Sequence, residues 1–207
     1  WLPGDGTPVL NTDYLSSVKD EVTDGHLVVT MELNPKAVWN DGKVIGAEAL
    51  LRWQRADGEF VPPDRFIPIA EQSGLIVAIG RWMLPEVLRS LKRLQAAGHD
   101  QLRMAVNISS IQLRQPSFLD LVNDSLAEAG VAPELLELEI TESIALEGLD
   151  AMVALLDKLR SQGIRIAIDD FGTGYSSLNY LERLPIDHLK IDRSFVLSLD
   201  ASERGAR

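Results

Sequence analysis

Apolar and polar positions repeat along this chain with two periods, and the switches between them mark its elements. Residues 27–33 (Leu-Val-Val-Thr-Met-Glu-Leu) read as a strand, Asn40-Asp41-Gly42 as a turn, and residues 43–53 as a second alternating strand, so a hairpin is predicted. Residues 55–63 read as a loop. Pro63-Asp64-Arg65-Phe66-Ile67-Pro68-Ile69-Ala70-Glu71 predicts a short helix, and residues 79–97 carry apolar side chains at helical spacing up to Gly98. The second half is more regular. It predicts strand 102–108, helix 118–129 closed by Gly130, strand 136–142, helix 149–162 closed by Gly163, a strand from 165 that ends in the pair Asp169-Asp170, a helix from about 176 to 184, and strand 188–192. Residues before 26 mix glycine, proline, aspartate and asparagine without period, an irregular lead-in. Beyond Arg193 only Phe195-Val196-Leu197 interrupts a polar tail. Strands that alternate with helices predict a parallel sheet covered by helices, an α/β fold.

The same alternation sorts the side chains by face. Gly46, Glu48, Leu50 and Arg52 share one face of their strand, opposite Ala47, Ala49 and Leu51. Asn107 opposes Val106 and Ile108, Glu139 opposes Leu138 and Ile140, Asp169 opposes Ile168, and Lys190 and Asp192 oppose Leu189 and Ile191. In a parallel barrel the helix-facing side is apolar, and the inward side can carry polar groups at the C-terminal strand ends. Solvent-exposed antiparallel strands alternate similarly, but the helical crossovers favour the buried arrangement.

Composition narrows the picture. With 207 residues, 45% of them hydrophobic, the chain can bury one sizeable core, which suggests a single domain plus an extension. A net charge of -11 repels polyanions, so a nucleic-acid polymer is a poor partner and a phosphate-bearing ligand has to be small and held by metals or a few local cations. Cysteine is absent, which excludes disulfides, thiolate catalysis and cysteine-ligated zinc. No apolar run approaches the ~18 residues of a membrane span. A start at Trp1 without an initiator methionine suggests a processed or excised piece of something longer.

The candidate chemistry centres on Arg165-Ile166-Ala167-Ile168-Asp169-Asp170-Phe171-Gly172-Thr173-Gly174-Tyr175-Ser176-Ser177-Leu178: a β-branched run, two adjacent carboxylates and a glycine-punctuated loop. Successive side chains on a strand point opposite ways, so Asp169 and Asp170 can share a site only where the strand ends and the backbone turns. There they suit a pair of divalent cations, the first carboxylate bridging and the second binding one. An acidic turn with an N-cap is the plainer alternative. The inward set of Glu48, Asn107, Glu139, Asp169 and Asp170 offers only oxygen ligands, which selects magnesium or manganese over zinc. Lys190 is a partner for a metal-bound water or a developing charge, or else an ion-pair partner to a neighbouring acid.

These residues carry a family resemblance. Glu48-Ala49-Leu50-Leu51-Arg52 resembles the signature of the EAL domain, the bacterial phosphodiesterase that hydrolyses cyclic di-GMP to linear pGpG. Val106-Asn107-Ile108-Ser109, Leu138-Glu139-Ile140-Thr141-Glu142, Asp169-Asp170-Phe171-Gly172-Thr173-Gly174 and Leu189-Lys190-Ile191-Asp192 follow in family order. The resemblance implies a TIM-like (β/α) barrel of the EAL type. It also implies that Glu48, Asn107, Glu139 and Asp169 hold one metal, that Asp169 and Asp170 hold a second, and that Lys190 positions the attacking water, with Lys190, Glu48 and Asp170 the catalytic set. By the same resemblance Leu50, Arg52 and Pro68 touch the dinucleotide, Glu142 braces the loop 171–177, and that loop contributes to a homodimer. The setting implied is cytoplasmic, in a parent that regions outside this piece can anchor to a membrane.

The sequence departs from the family in two places. Where the family has Tyr-Gln-Pro in its first strand, this chain reads Leu33-Asn34-Pro35, making Asn34 a shorter substitute at the ligand. Residues up to Gly42 weakly resemble the start of an extracellular peptide-binding protein of an ABC transporter, so the expected division is an extension or hairpin of foreign origin over 1–42, an EAL core over 43–199 and a polar tail over 200–207. The family also continues past Lys190 through two more strands bearing a Glu-Gly-Val-Glu motif, so about six of eight barrel strands are expected here, and with them weak or absent hydrolysis. A non-catalytic cyclic di-GMP receptor or scaffold fragment is the alternative function, and a peptide-binding protein a third.

Overall fold

A long antiparallel hairpin leads into the sheet, and apart from the two-residue β4 the strands after it run parallel. The computed structural model describes residues 9–11, 26–38, 44–55, 58–142, 149–172 and 183–192. Its strands are β1 (Val9–Asn11), β2 (His26–Val38), β3 (Val44–Gln54), β4 (Phe60–Val61), β5 (Arg103–Asn107), β6 (Leu136–Thr141), β7 (Arg165–Phe171) and β8 (His188–Ile191). Its helices are α1 (Pro63–Gln72), α2 (Leu75–Ala96), α3 (Ser110–Leu113), α4 (Phe118–Ala129) and α5 (Leu149–Ser161). The strand order is β1-β2-β3-β5-β6-β7-β8, with β4 paired to β3. β1, β2, β3 and β4 make antiparallel pairs, whereas β3, β5, β6, β7 and β8 are successive parallel neighbours. This is a mixed α/β fold with a parallel-dominated sheet, an incomplete barrel of the TIM type.

All six expected strands are present, at slightly different bounds. β4 lies inside the segment read as a loop, and β1 inside the irregular lead-in. Both are too short to show a period. Helix α2 starts at Leu75, earlier than the predicted residue 79, because Gly74 takes a left-handed conformation (φ 77°) that joins α1 directly to it and lets Ile76 bury with Ile79. Helix α4 matches its prediction, closed by Gly130 at φ 61°. The turn at 40–42, nearly all of the helix expected over 176–184, the stretch 195–197 and the tail 200–207 lie outside the described residues.

Burial follows the predicted alternation on β3, β5, β6 and β7, but not on β8, where Leu189 and Ile191 are exposed and Lys190 between them is the more covered. Ala47, Ala49, Met104, Val106, Leu136, Leu138, Ile140, Ile166 and Ile168 form the helix-facing side of the sheet. Leu84, Val87, Leu88 and Leu91 of α2, Val122 and Leu126 of α4, and Leu156 and Leu159 of α5 cover it in one continuous core. Each such aliphatic side chain contributes about 1.5–3 kcal/mol by leaving water, enough in sum to hold the strands in register. A second cluster, Trp53, Val61 and Phe66, ties β3 and β4 to α1, with Trp53 and Phe66 edge to face at 5.8 Å. The core therefore fixes the outward residues, and the residues between them have to point the other way. No helix among the described residues is long and apolar enough to cross a membrane.

Candidate functional site

The inward side chains at the C-terminal strand ends converge. Glu48 of β3, Glu139 of β6 and Asp169 of β7 each bring a carboxylate oxygen to within 4.8 Å of the other two. Asn107, the last residue of β5, donates from Nδ2 to Glu48 Oε1 at 2.8 Å. Lys190 of β8 faces the same three carboxylates: Nζ lies 2.5 Å from Asp169, 3.0 Å from Glu139 and 4.0 Å from Glu48. Glu139 is almost wholly buried, at 1% exposed, and a carboxylate that deep needs a cation beside it. The Lys190 ammonium supplies one. Burial alone would lower its pKa, but the hydrogen bonds and charges of Asp169 and Glu139 outweigh that and raise it above the ordinary lysine value.

The strand does not end at the two aspartates as its sequence suggested. β7 runs on to Phe171, and the turn that the two aspartates need is made inside it by a bulge. Ile168 pairs with Leu189 and Phe171 with Ile191, so β7 takes three steps where β8 takes two. Asp170 absorbs the extra residue at φ 55°, the one non-glycine positive φ among the described residues. Its N–H donates to Asp169 Oδ1 at 3.0 Å, a local bond that eases the left-handed backbone. Asp170 stays more open to solvent than Asp169 but lies in the same field. Burial first and Asp169 next, with Asp192 and Glu48 adding, raise its pKa against the opposing effect of Lys190.

Two supports sit just beyond the cluster. Glu142, buried one residue past β6, accepts the N–H of Gly172 through Oε2 at 3.0 Å and so ties the end of β6 to the end of β7. Residues 173–177 of that loop lie outside the described residues. After Asn107, Ser109 and Gln112 form a capping box: Gln112 Oε1 accepts the Ser109 N–H at 2.8 Å, and Ser109 Oγ accepts the Gln112 N–H at 3.3 Å. Sequence reasoning missed this pair, although Ser-x-x-Gln is its signal.

The other predicted ligand residues are placed as follows. Leu50 and Arg52 are half-buried on the Glu48 face of β3, and Arg52 Nη1 donates to the carbonyl of Leu51 at 2.9 Å. Asn34 is the register partner of Glu48 across the β2–β3 pair. Pro68 is exposed inside α1, outside the carboxylate cluster. The three carboxylates offer only oxygen ligands, which fits a hard divalent cation and gives no preference for zinc.

A TIM-like sheet with a carboxylate cluster able to hold a cation at its C-terminal strand ends defines the class, and residues 18–207 match the EAL domain; the chain belongs to that family. It is 46% identical over 164 residues to the cyclic di-GMP phosphodiesterase NbdA of Pseudomonas aeruginosa, covering 79% of this chain and 21% of that protein. It is 43% identical over 171 residues to the bifunctional diguanylate cyclase/cyclic di-GMP phosphodiesterase MucR of the same organism, covering 83% of this chain and 25% of that protein. Among solved structures it resembles the PaMucR phosphodiesterase in complex with c-di-GMP, at 42% identity and a TM-score of 0.79, over 86% of this chain and 72% of that one. The chain thus spans about a fifth to a quarter of the curated relatives it matches.

Proposed function

We propose that this domain hydrolyses cyclic di-GMP to linear pGpG. The observation that carries the reading is the convergence of Glu48, Glu139 and Asp169 on one point that Lys190 also faces. In this reading Glu48, Asn107, Glu139 and Asp169 would hold one Mg²⁺ or Mn²⁺, and Asp169 with Asp170 would hold a second. Such cations would polarise the phosphoryl oxygens and ease deprotonation of water.

The remaining work falls to the chain's own groups. Lys190 keeps its proton, so it donates rather than accepts; its N–H groups orient the attacking water between Asp169 and Glu139. The planar fork of Arg52 suits a phosphate of the substrate, with Leu50, Pro68 and Asn34 flanking the dinucleotide. Glu142 holds the backbone at Gly172, and the loop that follows serves a homodimer in a cytoplasmic setting. A small phosphodiester also suits a strongly acidic chain better than a nucleic-acid polymer does.

The test is incubation of the purified chain with cyclic di-GMP and Mn²⁺, with product analysis. Slow appearance of pGpG, in keeping with an incomplete barrel and lost in Glu48→Gln, is the expected result. Calcium-supported binding in calorimetry without any product under Mn²⁺ would assign the site to a receptor, and neither binding nor product would end the reading.

A further inference from the structure

β8 is the last strand in the order, so among the described residues β7 is its one neighbour. Their ladder pairs Ala167 with His188 and Ile168 with Leu189, and resumes only at Phe171 and Ile191. Lys190 therefore stands opposite the bulge, with paired neighbours on either side but no register partner of its own. Two residues lower on the same face, His188 Nδ1 lies 2.7 Å from Glu137 Oε2, with the carboxylate only 13% exposed. This contact joins β8 to β6, although β7 runs between them.

It repeats one level down what Lys190 does with Glu139. Glu137 and Glu139 are two apart on β6, His188 and Lys190 two apart on β8, and each pair reaches across β7. At that crossing β7 presents Ala167, fully buried, the register partner of both Glu139 and His188. Its methyl group leaves room that a larger side chain would fill.

We propose that the Glu137–His188 pair is a positioning device that sets the height of β8 and so places Lys190 among the three carboxylates. A single hydrogen-bonded contact with its imidazole 43% exposed adds little stability, so its effect is expected in the geometry above it rather than in the melting point. Only its kinetic consequence rests on the phosphodiesterase reading.

The experiment is trace acetylation of the purified chain, with the rate at Lys190 read by mass spectrometry, for wild type, His188→Ala, His188→Gln and Leu189→Ala. Leu189 points to the opposite face of β8 and controls for general loosening. His188→Ala is expected to speed Lys190 labelling about threefold or more, the effect of weakening its hydrogen bonds by about 0.7 kcal/mol. His188→Gln, which keeps a side-chain donor, restores the slow rate, and Leu189→Ala leaves it unchanged. In turnover, His188→Ala lowers kcat about tenfold or more with KM little changed, as a displaced group does. Wild-type labelling in His188→Ala, or an equal rise in Leu189→Ala, overturns the proposal. If His188→Ala does not fold, Glu137→Gln is read the same way, with a smaller rise expected and no rise fatal. A labelling response with no wild-type turnover would leave the positioning role intact and defeat the phosphodiesterase reading instead.

Discussion

Replacing Lys190 by methionine should make the domain bind Mn²⁺ more tightly while making it less stable without metal. The three carboxylates able to face one cation are the three that Lys190 already faces, so ammonium and metal act on the same charges. Removing one partner of a buried pair costs about 3–5 kcal/mol, and with the lysine side chain 33% exposed about 2 kcal/mol is the fairer figure. In the other direction, a single and a double positive charge about 5 Å apart repel by about 1.5–3 kcal/mol, for screening between bulk water and half that strength. Relief of that repulsion is worth about tenfold to a hundredfold in Mn²⁺ affinity. Two measurements decide the matter: calorimetric Mn²⁺ titration of chelator-treated protein, and urea unfolding with and without Mn²⁺. The variant should unfold earlier than wild type in chelator and recover when Mn²⁺ reaches about a hundred times its Kd, which restores about 2.7 kcal/mol. Weaker Mn²⁺ binding in the variant, or an unchanged unfolding midpoint in chelator, would refute the balance argued here.

Three further changes test other parts of the structure. Asp170 has a raised folded pKa, so its proton-linked stability is full below the unfolded value and lost as pH rises through the folded one. Asp170→Asn should therefore stabilise chelator-treated protein at pH 7 by about 0.5 kcal/mol after solvent screening, with the gain absent below about pH 4 in pH-dependent melts. Asp187 pins the start of β8: it accepts from Arg160 at 2.8 Å and from the Ile166 N–H at 2.9 Å. Burial pushes its pKa up, but Arg160 and Ile166 hold it below the usual range, so its contribution is present above the unfolded value and lost as pH falls through the folded one. Asp187→Ala should cost about 1–2 kcal/mol at pH 7 in urea unfolding, a gap that closes as the pH falls below about 4. At Gly80 an added Cβ would lie 2.0 Å from Gln112 Nε2, and the capping box holds that amide in place. Gly80→Ala should cost about 1–3 kcal/mol by the same measurement, and no loss would show that Gln112 is free to move.

On β8, where Leu189 and Ile191 are exposed, only the spacing places Lys190; elsewhere period-two alternation made the cluster legible because the apolar residues beside Glu48, Asn107 and Glu139, and Ile168 before Asp169, have to face the helices. Once those residues pack, the polar ones have no choice of side. What stayed hidden depends on comparison between strands. The bulge at Asp170 is a mismatch of count between β7 and β8, and neither strand shows it alone. β7 continues through the two aspartates to Phe171, with the backbone turned at Asp170 rather than at a strand end. The Glu137–His188 contact is hidden for the same reason, since it skips a strand. Both residues fall on the predicted inward face, each two positions before a residue of the cluster. Two-residue β4 and four-residue α3 are shorter than the periods that would reveal them.

The bulge also makes this site a matter of odd and even. Because β7 carries one residue more than β8 between their shared pairings, deleting any one residue from 169–170 would restore a regular ladder and join the strands more neatly. Such a deletion would leave a single carboxylate where two now follow each other. Inserting one residue after Leu189 would even the count from the other side, yet turn the lysine toward the helices and an apolar neighbour toward the acids. Changes of length near these positions are therefore worse than changes of identity, and a chain with every motif letter intact but the spacing altered by one would be expected to fold and do nothing.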